Sequence, residues 1–451
     1  MLLTSNHALL EQAHFDRVAL AWQRRALTLN APGRSWAHLQ QSDAQLLAGL
    51  HLLVQIQKQS PTLGPERLQE ALMPGELFVL ALLAMHLQHA PTWHACTAMA
   101  QALPGHQGAL LASAHWCDAQ AIQWALGHWP TMQSGTPPLC SVFELHAAQR
   151  HPQVLHAMRQ RQPWRELSSD VDQAVPILQA VLQLGLHVPL PELRHLARKV
   201  MLRAAGHQDA FLNLLCPSAE LLMLQHHQAP SDQAYTQARQ VLRDVATQSR
   251  QPHWAWQASQ VLACANAKEF QEILKSQAKD AALKSVYLQG LGWSGRRDAV
   301  EPLMAALHEP VWAKVAGASI MLITGSVPVR DGWEGRAPAK AVADDAGDAI
   351  RPADPLLAHP QPDAQGFVRW WQTHGARITD GEVWLSGRTL TPAALAQTLH
   401  TGPLHARTVA ARKLQWLHSE PRRLDTHGPS PVQRQWMQTH LPPIPQPSPK
   451  A

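Results

Sequence analysis

Charged residues, strand-forming runs and long apolar stretches are all scarce in this chain. Lys, Arg, Asp and Glu make up 16% of its 451 residues, whereas hydrophobic residues make up 45%. That balance excludes a wholly disordered chain, because enough apolar material is present to fill a core. Long alternating runs of β-branched residues are missing before residue 325, which argues against a sheet. The most apolar run, Leu77–Leu87, has 11 residues, below the roughly 20 that span a bilayer, and predicts a buried helix.

Cysteine is scarce as well, and its placement limits the redox chemistry. The five cysteines show no CxxC spacing, and an odd number fits a disulfide framework poorly. They are therefore expected to be reduced, buried thiols. The first 17 residues lack the basic segment of a secretory signal and carry Glu11 and Asp16. Together these features predict a cytoplasmic protein.

Motifs that carry catalysis or bind cofactors are missing too. The 27 histidines form no HExxH motif, although His86 and His89 lie three residues apart on a predicted helix. No phosphate loop of the GxxxxGK[ST] type and no serine nucleophile elbow occur. Gly290–Gly295 fits GxGxxG, but a helical segment precedes it and Trp293 is bulky, so a turn between helices is expected. The sequence thus predicts no catalytic residue, no metal site, no cofactor and no enzymatic activity.

The net charge of +5 is distributed unevenly along the chain. Residues 367–451 contain ten Lys/Arg and four Asp/Glu, which gives +6, and residues 326–366 contain four and seven, which gives −3. The first 325 residues therefore carry only +2. A nearly neutral body does not suggest a nucleic-acid groove, so nucleic acid is not the expected partner.

What the chain does contain is helical periodicity and an internal repeat. Similar segments begin at Asp298, Lys268, Asp209 and Asp118, at successive offsets of 30, 59 and 91 residues. Such spacing is typical of stacked helix pairs, because one short pair cannot bury its apolar stripe alone. In the clearest copy, Asp298 is expected to cap a helix together with Glu301.

The predicted fold is all-α: an α-solenoid of short HEAT-like helix-pair repeats, about 30 residues each, with a small, mainly helical C-terminal unit. The expected segments are an N-terminal helical region (1–95), the repeat array (96–325), a flexible linker or loop (326–366), the C-terminal unit (367–440) and a disordered tail (441–451). The linker prediction rests on its Pro, Gly, Ala and Asp content, and the tail prediction on its prolines.

Several stretches resemble known proteins. Leu283–Gly325, which contains LQGLGWSGRRDAVEPLMAALHEP and AGASIMLITG, resembles the short HEAT-like repeats also seen in phycobilisome-lyase-type proteins. The wider chain is similar to a bacterial HEAT-like repeat family whose genes tend to lie near type VI secretion components, such as spike and PAAR-tip proteins. His14–Leu27, Pro74–Leu87, Ile323–Gly325 and Phe367–Leu395 carry this similarity. The resemblance implies a cytoplasmic role beside a secretion system, as an adaptor, chaperone or immunity factor, and it carries over no catalytic residue.

Tryptophan supplies the first candidate site. The chain has 17 tryptophans and two tyrosines, and most tryptophans are expected in the core and at helix junctions. Trp and Arg are also the residues most enriched at binding hot spots. Trp370 and Trp371 beside Arg369 are the best candidates, because adjacent residues on a helix cannot both face a core squarely.

A second candidate lies on the predicted helix Leu404–His418. Its apolar residues fall on one face, while Arg407 and Arg412 fall on the opposite face. This pattern predicts a basic surface that meets an acidic partner, and an ordinary solvated helix face is the alternative.

These features favour a non-enzymatic scaffold, adaptor or chaperone that binds another protein. The resemblance names the expected partner as a secretion spike, PAAR-tip or effector protein, with no membrane involved. One alternative is an immunity protein that binds a toxin. Another is a HEAT-like DNA glycosylase, which needs an aromatic pocket and a basic track; the nearly neutral body argues against it. A bilin-lyase activity is weaker still, since only the repeat type supports it.

Overall fold

A computed structural model of the chain describes residues 2–30, 34–59, 73–130, 138–161, 212–227, 229–249, 251–335, 360–418 and 424–441. These residues are mostly helical, which confirms the all-α class. The helices are α1 (Leu2–Asn30), α2 (Trp36–Gln59), α3 (Pro74–Leu87), α4 (Ala90–Ala102), α5 (Pro104–Ser113), α6 (Ala119–Gly127), α7 (Pro138–Arg150), α8 (Pro152–Arg161), α9 (Leu212–Gln225), α10 (Gln233–Gln248), α11 (Pro252–Ala265), α12 (Ala267–Gln277), α13 (Lys284–Ser294), α14 (Val300–Leu307), α15 (Ala313–Thr324), α16 (Pro328–Asp331), α17 (Ala364–His374), α18 (Pro392–Thr401), α19 (Leu404–His418) and α20 (Ser430–His440). The same part of the chain contains the strands β1 (Trp384–Leu385) and β2 (Arg388–Thr389), and 3₁₀ turns at Ala281–Leu283, Arg297–Ala299 and Gly375–Arg377.

Local sequence explains where many helices begin and end. Proline suits the first helical position because its φ is fixed and its missing N–H would have no partner there, and it opens α3, α5, α7, α8, α11, α16 and α18. Asp118 accepts a backbone N–H at the start of α6 (2.8 Å), and Asn266 accepts one at the start of α12 (3.1 Å). Gly295 and Gly325 end α13 and α15 with φ values of 65° and 69°.

The chain divides into two units. The first contains Met1–Ala26, His38–Leu196 and His427–Gln435, and the second contains Leu27–Ala37, Ala197–Thr426 and Trp436–Ala451. These bounds differ from the five predicted segments because residues far apart in the sequence fold together. The end of the predicted array and most of the predicted C-terminal unit share the second unit.

Helix α3 lies at the centre of the first unit. Residues Leu77–Met85 are all buried, and α3 packs against α4, α5 and α6. This confirms the prediction for the apolar run, because a helix that is apolar all round needs cover all round. Within the described ranges, no helix is long and apolar enough to cross a membrane.

A buried ion pair joins distant segments of the first unit. Arg25 Nε donates to Asp43 (2.6 Å), and its terminal nitrogens donate to the carbonyl oxygens of His427 (2.8 Å) and Gly428 (2.6 Å). The Asp43 carboxylate also accepts the N–H of Ser430 (2.6 Å). Each of the two charged groups therefore has several hydrogen-bond partners, which offset the free-energy cost of burying it.

In the second unit, successive helices pack side by side. Helices α9, α10 and α11 each contact the next helix and the next but one, and α13 packs on α15. A Cβ at Gly292 would lie 2.8 Å from the Cα of Ser319, so the close approach of α13 and α15 requires glycine there. The GxGxxG segment is thus mostly the end of a helix, and Gly295 alone of its residues forms the turn.

The β1–β2 hairpin covers the ends of two helices in this unit. The N–H groups of Ser386 and Gly387 donate to carbonyl oxygens at the end of α15 (2.7 and 2.9 Å), and the Trp384 N–H donates to Gly295 (2.7 Å). The last carbonyls of a helix have no partner within the helix, and the hairpin supplies one. This part of the predicted C-terminal unit is therefore fastened to the helices of the predicted array.

Four sequence predictions fail locally or lie wholly or partly outside the described residues. The start of the repeat copy at Asp209, the middle of the predicted linker (336–359) and residues 442–451 of the predicted tail lie outside them. The described ends of the predicted linker are packed, since Trp333 is fully buried and the Gly335 N–H donates to the Gln361 carbonyl (2.7 Å); the linker prediction is wrong there. The capping box at Asp298 is also wrong, because its carboxylate binds Arg296 instead (2.8 Å) and a 3₁₀ turn precedes α14.

Candidate functional site

Helix α17 carries the first candidate site, and its buried face fixes its orientation. The Asp363 carboxylate caps it by accepting a backbone N–H of its first turn (3.1 Å). Phe367 is fully buried against Trp333, with ring centroids 5.1 Å apart. This aromatic contact holds the helix at one rotation, so the residues three and four positions later are placed beside Phe367.

Those residues are Trp370 and Trp371. Their ring centroids lie 5.6 and 6.2 Å from Phe367, with nearly parallel planes. The Trp370 ring also stacks on His374 (4.9 Å, 17° between planes). Both tryptophans are half-buried, so each indole is partly packed and partly exposed to solvent.

Arginines surround the two rings. The Arg297 guanidinium lies 5.7 Å from the Trp371 ring centroid, and that of Arg377 lies 5.8 Å from Trp370. Arg369 is exposed, 3.7 Å from Asp363. We call Arg297, Arg369, Trp370, Trp371 and Arg377 the tryptophan–arginine surface.

Backbone contacts hold this surface in place. Arg297 donates to the carbonyl oxygens of Ile378 and Gly375, the latter at 3.3 Å. A Cβ at Gly375 would lie 2.7 Å from the Trp371 ring, so the chain closes tightly against that indole. The two arginines that sequence reasoning missed have different signals. Arg377 lies seven residues after Trp370, whereas Arg297 is distant in sequence and only the packing of α14 against α17 brings it near.

The surface has the composition of a protein-contact site. Rigid indoles offer large apolar area at low entropic cost, and arginine offers several donors to a carboxylate. The ion pairs at its edge are loose, with Arg297 3.8 Å from an exposed Asp380. Such solvent-exposed pairs contribute little stability, so a partner carboxylate replaces them at small cost.

The second candidate site is not where the helix pattern placed it. Arg407 is fully buried, with its guanidinium 3.9 Å from the Trp36 ring centroid and Nε donating to the Leu399 carbonyl (2.7 Å). Burial lowers the pKa of Arg407 to about 9. The prediction of an exposed basic face is wrong for this residue, because the end of α18 and Trp36 cover that side of α19.

Arg412 is also buried rather than solvated. It donates to Glu220 (2.6 Å) and Gln260 (2.5 Å), which lie on α9 and α11. Burial opposes its charge, but the Glu220 carboxylate outweighs this effect and raises the pKa of Arg412. The two-faced interpretation of α19 fails because the helix is covered on both sides, and Arg412 serves the interior as an ion-pair partner.

The remaining chemical candidates are two histidines and the five cysteines. His86 is half-buried at the end of α3, and burial lowers its pKa; His89 instead binds Thr92 at the start of α4 (2.8 Å). Four of the five thiols are buried, as predicted, while Cys264 is half-buried. No cluster of three or more potential metal ligands occurs among the residues with described positions.

Comparison with known proteins adds no relative. No protein-family model, no curated protein and no solved structure matches the chain. The geometry of the tryptophan–arginine surface is therefore the main guide to function.

Proposed function

We propose that this protein is a non-enzymatic scaffold that binds another protein through the tryptophan–arginine surface on α17. The observation that carries the proposal is the pair of half-exposed indoles, Trp370 and Trp371, supported from beneath by buried Phe367. The repeat spacing further supports a solenoid of helix pairs as the framework. The resemblance to the secretion-associated family supports an adaptor or chaperone role toward a spike, PAAR-tip or effector protein in the cytoplasm.

The partner's chemistry follows from the surface. An apolar side chain fits against the exposed parts of the indoles, and a carboxylate beside it fits the arginine donors. Three arginines and two aspartates, Asp363 and Asp380, form this region, so its local charge is +1 by 3 − 2. Binding is therefore expected to be mainly apolar, with a modest dependence on salt.

Affinity purification from the native cell tests the proposal. We expect the tagged protein to retain one main partner and the Trp370→Ala/Trp371→Ala variant to lose it, because truncation of a hot-spot tryptophan costs about 2 kcal/mol or more in binding. Quantitative mass spectrometry measures the ratio of partner to bait.

Trp312→Ala is the matched control. Trp312 is also half-buried in the second unit, and Lys284 lies 5.8 Å from its ring centroid, so its loss imposes a similar structural change away from α17. Circular dichroism confirms folding of each variant. Equal retention of the partner by the α17 variant and the control would remove the tryptophan–arginine surface as the binding site.

A further inference from the structure

The first unit contains a histidine pair that has no part in the proposed function. Nε2 of His115 and Nδ1 of His146 lie 2.9 Å apart, with ring centroids separated by 5.1 Å and planes at 80°. At that distance one nitrogen donates a hydrogen to the other. His115 is buried and His146 is half-buried, so water competes poorly for this bond.

The pair joins two separate elements. His115 lies in the turn at residues 114–117 between α5 and α6, and His146 lies in the last turns of α7. A second contact acts at the same place, since the Arg150 guanidinium of α7 donates to the His115 carbonyl oxygen. His151, the residue after α7, also forms a hydrogen bond with the backbone of Cys117 in this turn. The histidine pair, Arg150 and His151 therefore all hold the turn on the end of α7.

Basic, acidic and ionisable groups all lie around the pair. Arg150 and His151 come from the end of α7 and the residue that follows it, and His86 of α3 interacts with Arg150. Asp118, at the start of α6, is the carboxylate that acts on these groups, and Glu144 of α7 is a second buried acid nearby in sequence. Burial, with Arg150 second, lowers the pKa of His151, so added positive charge is disfavoured here.

We propose that His115 and His146 form a pH-sensitive latch that holds the turn 114–117 on α7 and releases it when both facing nitrogens carry a proton. The bond survives the first added proton, because an N–H of one ring still meets a bare nitrogen of the other. The second proton sets N–H against N–H and adds a second positive charge beside Arg150. The unlatched state takes up both protons freely, so the closed state weakens as pH falls below the usual histidine range near 6.5.

Hydrogen exchange of the turn measures the latch directly. In the wild type, we expect the hydrogen-exchange rate of amides 114–117, corrected for intrinsic rates, to rise about tenfold between pH 7.5 and pH 5.5. Below about pH 6.5 the open state binds one proton more than the closed state, so one pH unit shifts the equilibrium about tenfold toward the open state. The His115→Gln/His146→Asn variant places amide groups near the two facing nitrogens without a titrating ring. Its turn should show no such rise.

His308→Gln is the control, since His308 is exposed and lies in the second unit, and it should keep the wild-type response. If the double variant does not fold at pH 7.5, ¹⁵N NMR of the wild-type imidazoles decides. The proposal requires that, at pH 7.5, one facing nitrogen carries a proton and the other does not. At pH 5.5 both this difference and the protection of the turn amides from exchange should be lost. Equal pH response of the turn in wild type and variant, or protection that persists with both nitrogens protonated, overturns the proposal.

Discussion

At the scale of single residues, the structure differs most from the sequence-based expectation in the burial of charged side chains. Arg407 and Arg412 are three and eight residues into α19, and a helical wheel sets both opposite the apolar stripe. The structure covers both, one by an aromatic ring and a helix end, the other by an ion pair. Periodicity alone misses this, because it describes one helix and not the number of neighbours that pack around it.

The Glu220–Arg412 pair gives a residue-level test. Glu220→Gln leaves the Arg412 guanidinium buried without its anion, and breaking such a pair costs about 3–5 kcal/mol. We expect a clear drop in the urea concentration at the midpoint of unfolding, as measured by circular dichroism. The double change Glu220→Leu/Arg412→Met removes both charges and should recover most of that loss; a double variant as unstable as Glu220→Gln would show that the charge burial is not the cause.

At the scale of elements, helix boundaries and the most buried helix follow from the sequence, while the contacts of the hairpin do not. Prolines at first positions, the Asn266 cap and the glycine after α15 are local signals with local effects. Asp298 fails as a cap because Arg296 competes for its carboxylate. The hairpin's bonds to α13 and α15 join residues about 60 to 90 positions apart, and no local pattern predicts them.

Gly325 tests the junction between α15 and the hairpin. An alanine there must adopt a φ near 69° and bring its Cβ to 2.5 Å from the Ser386 carbonyl oxygen. Gly332 has a similar φ of 75° but no atom within 4 Å of the added Cβ. Gly332→Ala should cost about 1–2 kcal/mol from backbone strain alone, and Gly325→Ala should cost more because the hairpin must move.

Thermal unfolding of the two variants side by side measures the difference. Equal melting temperatures would mean that the hairpin adjusts freely and does not constrain the end of α15.

At the scale of the whole molecule, charge separates the scaffold from the DNA-glycosylase alternative. The chain carries +5 over 451 residues, with the excess near the C-terminus, and two of those C-terminal arginines are buried. We therefore expect no salt-sensitive binding to duplex DNA at low ionic strength, as measured by fluorescence anisotropy. Binding that weakens steeply with added salt would instead indicate phosphate contacts and favour the glycosylase alternative.

The candidate site was partly predictable from the sequence. The sequence predicts Arg369, Trp370 and Trp371 as a contact site, because two adjacent tryptophans on one helix cannot both face a core squarely. It does not identify Arg297, which reaches Trp371 from the turn before α14. Only tertiary packing adds this arginine to the surface.

Site-specific photo-crosslinking in the native cell tests the central claim most directly. A photoreactive amino acid replaces Gln372, an exposed residue beside Trp371, and, in a control, exposed Gln237 on α10. If α17 is the binding site, light produces one discrete protein adduct from position 372, none of the same mass from position 237, and the adduct disappears in the Trp370→Ala/Trp371→Ala background. The same adduct from both positions, or an adduct from position 372 that survives loss of both tryptophans, would contradict a scaffold that binds through this surface.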